Sequence, residues 1–233
     1  MNDIKDAIDG KLTMTERIEK NIDMISTQRV PQQWIDDGFS TNRKLPTWLQ
    51  SIDLRIQQYK LFEAENAPPK IVFINRLFNP LSYLTAIRQS SAQKSGLELD
   101  KLIIITEPTS IDLRNQKDGI QLPKEGSLVY GCHLQGARWD EENRIVDESK
   151  PREAYCIMPV INCKVEDASK IKAEDKSIYH CPVYRTTKRD ATYVFTAQFK
   201  TKANPAKWTI AGVAVILDVE LGDSVEKFKV NAA

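Results

Sequence analysis

Near Asp100 the apolar residues change their period, and this switch restricts the chain more than any other feature. Before it they recur in steps of three and four. After it they alternate or gather in short β-branched runs separated by proline, glycine and polar turns. A chain written this way is α+β. It is expected to form an amino-terminal helical subdomain over residues 1–98, followed by an antiparallel, incomplete β-barrel over 99–220. Residues 221–233 read as a polar tail without the pattern of an ordered element.

In the first part, Met14, Ile18, Ile22 and Ile25 line one face of a helix expected between Lys11 and Val30. Thr13 and Glu16 have the spacing of a capping box at its start. Pro31 ends that helix or opens a short turn carrying Trp34 and Ile35, and Ser40 to Lys44 reads as a loop. A second helix is expected from Pro46 to Glu65, facing inward through Trp48 or Leu49 with Ile52 and Ile56, and stopped by Ala67-Pro68-Pro69. Ile71 to Ile74 is an apolar run short enough for a buried strand. Asn79-Pro80 is the clearest helix start, an N-cap residue with proline at the first position, and Gly96 is placed to cap the far end.

In the second part, strands are expected at Lys101 to Thr106, Ser127 to Gln135, Ile145-Val146, Tyr155 to Val165, Ile178 to Tyr184, Thr192 to Lys200 and Lys207 to Val219. Pro159 argues for an edge or bulge in its run. Lys207 to Val219 is apolar on both faces and is expected to be central. Ser110 to Gly119, Pro123 to Gly126, Asp140 to Asn143 and Glu166 to Lys176 read as loops and turns. Tyr130 to Asp140 is the pivot: a strand that Gly136 interrupts, followed by the large ring of Trp139 between Arg138 and Asp140. Trp139 is expected to anchor a corner, with Arg138 and Asp140 tied by charge-assisted hydrogen bonds to neighbouring loops.

Function has to be read against a composition of 41% hydrophobic and 28% charged residues with a net charge of +1. That is too apolar for disorder and too balanced to suggest a nucleic-acid or anionic-membrane partner. No apolar run has the roughly 18 residues of a spanning helix, and the first residues lack the apolar core of a signal peptide. A cytosolic, reducing setting is expected. His133 and His180 adjoin Cys132 and Cys181, which raises zinc or a Cys/His catalytic site in a small independent enzyme. Neighbours on a strand point to opposite faces, however, and no Cys-x-x-Cys pair is present among Cys132, Cys156, Cys163 and Cys181. No phosphate loop, dinucleotide fingerprint, nucleophile elbow or H-E-x-x-H occurs. No catalytic, cofactor-binding or metal-ligating residue is therefore assigned, and no cofactor.

Five strings follow one another in order: Leu49-x-x-x-x-Leu54-Arg55, Asn79-Pro80-Leu81-Ser82-Tyr83-Leu84-Thr85-Ala86-Ile87, Leu134-x-Gly136-Ala137-Arg138-Trp139-Asp140, Tyr179-x-Cys181-Pro182-Val183-Tyr184-Arg185-Thr186, and Lys207-Trp208-x-x-Ala211-Gly212-Val213-Ala214. Together they resemble the carboxyl-terminal region of axonemal dynein heavy chains. The resemblance runs from about Leu12 to Val219. Thr192 to Lys202 is most similar to the outer-arm β type. Phe73 to Phe78 departs from the family pattern, as does Gln135.

The resemblance implies a non-catalytic cap lying on the AAA+ ring of the same heavy chain and regulating or stabilising the ATP-driven motor of cilia and flagella. Its implied partners are those ring modules, with other axonemal dynein subunits as further candidates. It implies no direct contact with nucleic acid, membrane or nucleotide, and a link to microtubules only through a stalk outside this sequence. The implied location is the cytoskeleton of the ciliary or flagellar axoneme.

Overall fold

The computed structural model describes residues 2–65, 68–111, 122–123, 126–170, 176–189 and 192–219. The tail at 221–233 lies outside them, as do most of the expected loop at 110–119, half of the 123–126 turn, and residues 171–175 of the 166–176 loop.

Helices α1 (Asn2–Ile8), α2 (Glu16–Ser26), α3 (Gln32–Asp37) and α4 (Leu45–Glu65) come first. The cap of α2 is Thr15, whose hydroxyl accepts from the Ile18 amide, so the helix starts two residues beyond the Thr13 capping box. Pro31 is the residue before α3 and Pro46 sits in the first turn of α4, both where a missing amide proton costs nothing. Val30, Phe39, Leu45 and Trp48 form a small core among these helices, with Trp48 stacked on Phe39 and on Trp34.

β1 (Ile71–Phe73) follows, then α5 (Pro80–Ser95). α5 is built as its residues specify: Asn79 Oδ1 accepts from the Ser82 amide, Pro80 opens the helix, and Gly96 closes it in a left-handed conformation at φ 68°. The remaining elements are β2 (Leu102–Pro108), β3 (Ser127–Tyr130), β4 (His133–Gln135), β5 (Arg138–Asp140), β6 (Ile145–Asp147), β7 (Tyr155–Ile157), β8 (Ile161–Asp167), β9 (Ile178–Tyr184), β10 (Tyr193–Lys200), α6 (Pro205–Ile210) and β11 (Ala214–Ile216).

The α+β class stands, but the strands do not make an antiparallel barrel. They form three open sheets: β1-β3-β8-β2, β10-β9-β11-β4-β7 and the hairpin β5-β6. The first two are mixed, because β1 runs parallel to β3 and β9 parallel to β11. The physical reason is that each parallel pair is joined by a long crossover, through α5 and β2 in one case and through β10 and α6 in the other.

Two expected strands are also broken between sheets. Ser127 to Gln135 becomes β3 in the first sheet and β4 in the second, parted at Gly131 rather than first at Gly136. Gly131 has φ 86°, and a Cβ there would lie 2.8 Å from the Phe73 ring, so only glycine fits. Tyr155 to Val165 becomes β7 and β8 across Pro159, so the proline separates two strands and follows β7, an edge strand of its sheet, as one of its two expected positions required. The two crossings meet, since the Met158 amide donates to the Cys132 carbonyl at 2.9 Å.

Lys207 to Val219 divides into α6 and β11. β11 keeps the expected central place, between β9 and β4, with all three residues buried. Pro182 lies inside β9, which has neighbours on both sides. It is tolerated because pairing with β11 begins only at Val183. A bulge between Tyr193 and Phe195 shifts the β10 alternation, burying Val194 and exposing Tyr193.

The main core lies between the two large sheets and reaches α5 through Tyr83, Leu84 and Ile87. Two strand edges are closed by side chains. Gln58 of α4 accepts from the Phe73 amide and donates to the Phe73 carbonyl, 3.2 Å each, imitating a neighbouring strand along β1. The Thr106 hydroxyl of β2 accepts from the Gln198 amide of β10 at 2.6 Å, bridging the two sheets where a barrel would close.

Candidate functional site

The densest polar arrangement lies where the helices meet the sheets. Arg55 stands on the face of α4 shared with Trp48, Ile52 and Gln58, and is only 2% exposed. Its apolar neighbours Leu49 and Ile56, expected to face inward, are instead exposed. The Arg55 Nη1 donates to the Leu77 carbonyl at 2.9 Å, and its Cζ lies 3.6 Å from the centre of the Phe39 ring. Arg185, immediately after β9 and 7% exposed, donates through Nη2 to the same Leu77 carbonyl at 2.9 Å and to that of Phe78 at 2.8 Å. Arg55 Nε and Arg185 Nη1 are buried without a hydrogen-bond partner among the described residues.

Asp218, just past β11, supplies the negative charge. Its oxygens accept from Arg43 Nε at 2.6 Å, Thr41 Oγ1 at 2.7 Å and Asn75 Nδ2 at 3.4 Å. Burial pushes the Arg55 guanidinium down to about 9, with Arg185 pressing the same way and Asp218 opposing; it stays charged at neutral pH. Arg185 is lowered for the same first reason. The two arginines of the cluster hold carbonyls and rings.

Cys132, Cys163 and Cys181 are buried free thiols, and Cys156 is half-buried. Cys181 is buried while His180 is exposed, as opposite faces of β9 require. Burial pushes the thiols of Cys163 and Cys181 up to about 12, and that of Cys132 higher still. Cys156, half-buried, accepts from the Trp139 amide at 3.4 Å and is raised as well, again by burial. His133 is lowered by burial, and its Nδ1 has no partner among the described residues. Among those residues no cluster of three His, Cys, Asp or Glu side chains is placed to hold a metal ion. No helix among them is long and apolar enough to cross a membrane.

Trp139 anchors its corner as expected: it is 5% exposed and its ring lies 6.0 Å from that of Phe199. Its charged neighbours behave otherwise. Asp140 turns into its own hairpin, accepting from the Glu142 and Asn143 amides and from Asn143 Nδ2, and these bonds hold its carboxyl below the usual range. The Arg138 Nε is buried without a partner among the described residues. Among the described residues Trp139 holds the corner by apolar packing, and neither Arg138 nor Asp140 is hydrogen-bonded to another loop.

One exposed apolar strip runs along the helical side. Leu49 and Ile56 lie two turns apart on α4, Tyr59 follows Ile56 on the same face, and the Tyr59 ring is 5.5 Å from Phe78. Leu81, 54% exposed, continues it in the first turn of α5.

Sequence reasoning assigned no role to Arg55, Arg185 or Asp218. The first two stand within strings quoted for the family resemblance, which is the one signal that marked them. Residues 1–217 match the family described as the C-terminal domain of the dynein heavy chain. The chain is 41% identical over 211 residues to the protein named dynein beta chain, flagellar outer arm, of Chlamydomonas reinhardtii. It is 38% identical over 210 residues to dynein axonemal heavy chain 17 of Homo sapiens, and 35% identical over 210 residues to the ciliary dynein beta chain of Tripneustes gratilla. Each match takes in 90% of this sequence but only 4–5% of the relative, so it spans about a twentieth of the length of these proteins.

Proposed function

The protein belongs to the family of dynein heavy-chain carboxyl-terminal domains, of the axonemal and flagellar type, and from that premise we propose that it is a non-catalytic cap. It lies on the ring of AAA+ modules of its own heavy chain and regulates or stabilises the ATP-driven microtubule motor of cilia and flagella. Residues 1–98 and 99–220 act in it as two subdomains joined through a shared core. Its place is the axoneme, where its relatives' names put them, and other axonemal dynein subunits are further partners.

The observation that carries this reading is the family match over residues 1–217, with relatives named for axonemal, ciliary and flagellar dyneins. Two features of the molecule support it. The raised, buried thiols and the arginine cluster that grips backbone carbonyls suit a structural element rather than a reaction centre. The exposed strip from Leu49 to Leu81 is the kind of apolar face that a larger body covers.

The test is to place Ile56→Asp and Leu81→Asp together in a heavy chain that bears this domain, and to measure ATPase rate and microtubule gliding. Altered coupling with an intact fold is expected, and an unchanged motor would overturn the regulatory reading. Hydrolysis of ATP by the 233-residue protein alone would overturn the non-catalytic one.

A further inference from the structure

Asp218 joins two parts of the molecule in opposite ways. Its backbone belongs to the sheets: the Asp218 amide donates to the Arg185 carbonyl at 2.7 Å, and the Leu217 amide to that of Tyr184 at 3.0 Å. Its side chain, 1% exposed, belongs to the helical side, with both carboxylate oxygens taken by the loop between α3 and α4 through Arg43 and Thr41. That loop also carries Phe39, the ring under the Arg55 guanidinium, which in turn rests on Trp48. Asn42 adds one bond from the loop to the sheet side, at Thr187.

We propose that Asp218 is a latch that holds loop 39–44 shut over the Arg55–Arg185 junction, and that the latch opens as a unit. The groups involved are coupled. Arg55 and Arg185 are like charges drawn to one carbonyl, and Asp218 is the carboxylate that attracts both. Replacing the carboxylate by an amide weakens the hold on Thr41 and Arg43 and removes the field that offsets the guanidinium repulsion in the same step. Phe39 then leaves Arg55 together with the loop. The two large sheets keep their own ladders and the core between them, so they stay closed. The protein thereby contains a switchable contact between its helical part and its last strand, independent of any partner of the cap.

Amide hydrogen exchange of the 233-residue protein at neutral pH tests this, comparing Asp218→Asn, Arg43→Gln, Thr41→Val and the double variant Arg43→Gln/Asp218→Asn. Exchange over residues 39–45 is expected to rise about tenfold or more in Asp218→Asn, the scale of a buried charge-assisted hydrogen bond. Protection in β4, β8 and β9 is expected to hold. Thr41→Val should show a smaller rise in the same segment, and the double variant less than the sum of Asp218→Asn and Arg43→Gln. Unchanged exchange over 39–45, or equal acceleration in the sheets, would overturn the latch. If Asp218→Asn fails to fold, Thr41→Val decides alone: a folded variant with unaltered exchange at 39–45 overturns it.

Discussion

Arg55 and Arg185 donate to the same Leu77 carbonyl at 2.9 Å, although one comes from a helix and the other from the end of a strand. A backbone oxygen has two lone pairs, and here both are used by charged donors. The arrangement makes Leu77 the point at which α4 and β9 are fastened together. It also makes the two arginines interchangeable as partners of that oxygen.

This interchangeability is measurable. Arg55→Met or Arg185→Met alone leaves Leu77 with a donor, so each is expected to cost about 1–2 kcal/mol. The double variant orphans a buried carbonyl and should cost at least about 1 kcal/mol more than the sum. Urea unfolding of the four proteins closes the cycle. Strict additivity would mean that the carbonyl finds water once both donors are gone.

A second expectation concerns Trp139, whose ring packs on Phe199 inside the main core. Trp139→Ala should lose about 3–5 kcal/mol, the usual range for emptying a buried large aromatic site, and Trp139→Phe clearly less. The same titrations check it. A small loss in Trp139→Ala would mean that the corner is held by the Asp140 turn instead.

Thr106 tests how nearly the sheets close. Thr106→Val keeps the shape but leaves the Gln198 amide without the hydroxyl it donates to, at a cost of about 1–3 kcal/mol. Exchange at the Gln198 amide should rise with it, reporting the gap between β2 and β10 directly.

How much of this was legible in the sequence depends on what each residue type can do by itself. Asn79, Pro80 and Gly96 act through local backbone chemistry, so α5 could be read from them. The Trp139 ring is too apolar to leave in water, and β11 is too apolar for an edge. Arg55 was not legible as a buried residue, because α4 carries apolar residues on more than one face and its outward Leu49 and Ile56 compete with the true inner face. Asp218 was hidden for a related reason: its donors lie 143 to 177 residues away in sequence. The parallel pairings were hidden too, since period-two patterning says which face is buried but nothing of which strand lies alongside.

The last expectation concerns pH. Burial lowers the His133 imidazole below its ordinary 6.5, opposed by a hydrogen bond to the backbone of Ile216; the Arg43 charge lowers it further while Asp218 raises it. In the unfolded state the imidazole takes its proton near 6.5, whereas in the folded state it does so only at lower pH. Between those two values the unfolded state binds more protons, so stability rises with pH and is lost as pH falls below 6.5. The contribution is complete above 6.5, and its slope cannot exceed about 1.4 kcal/mol per pH unit, the limit for one proton. Asp140 and Asp167 are lowered below their ordinary 3.8, so the stability they add is lost only at pH values below this window. Denaturant unfolding between pH 5 and 7 should therefore show a slope that flattens in His133→Leu. A slope that survives the substitution would assign the dependence to another group.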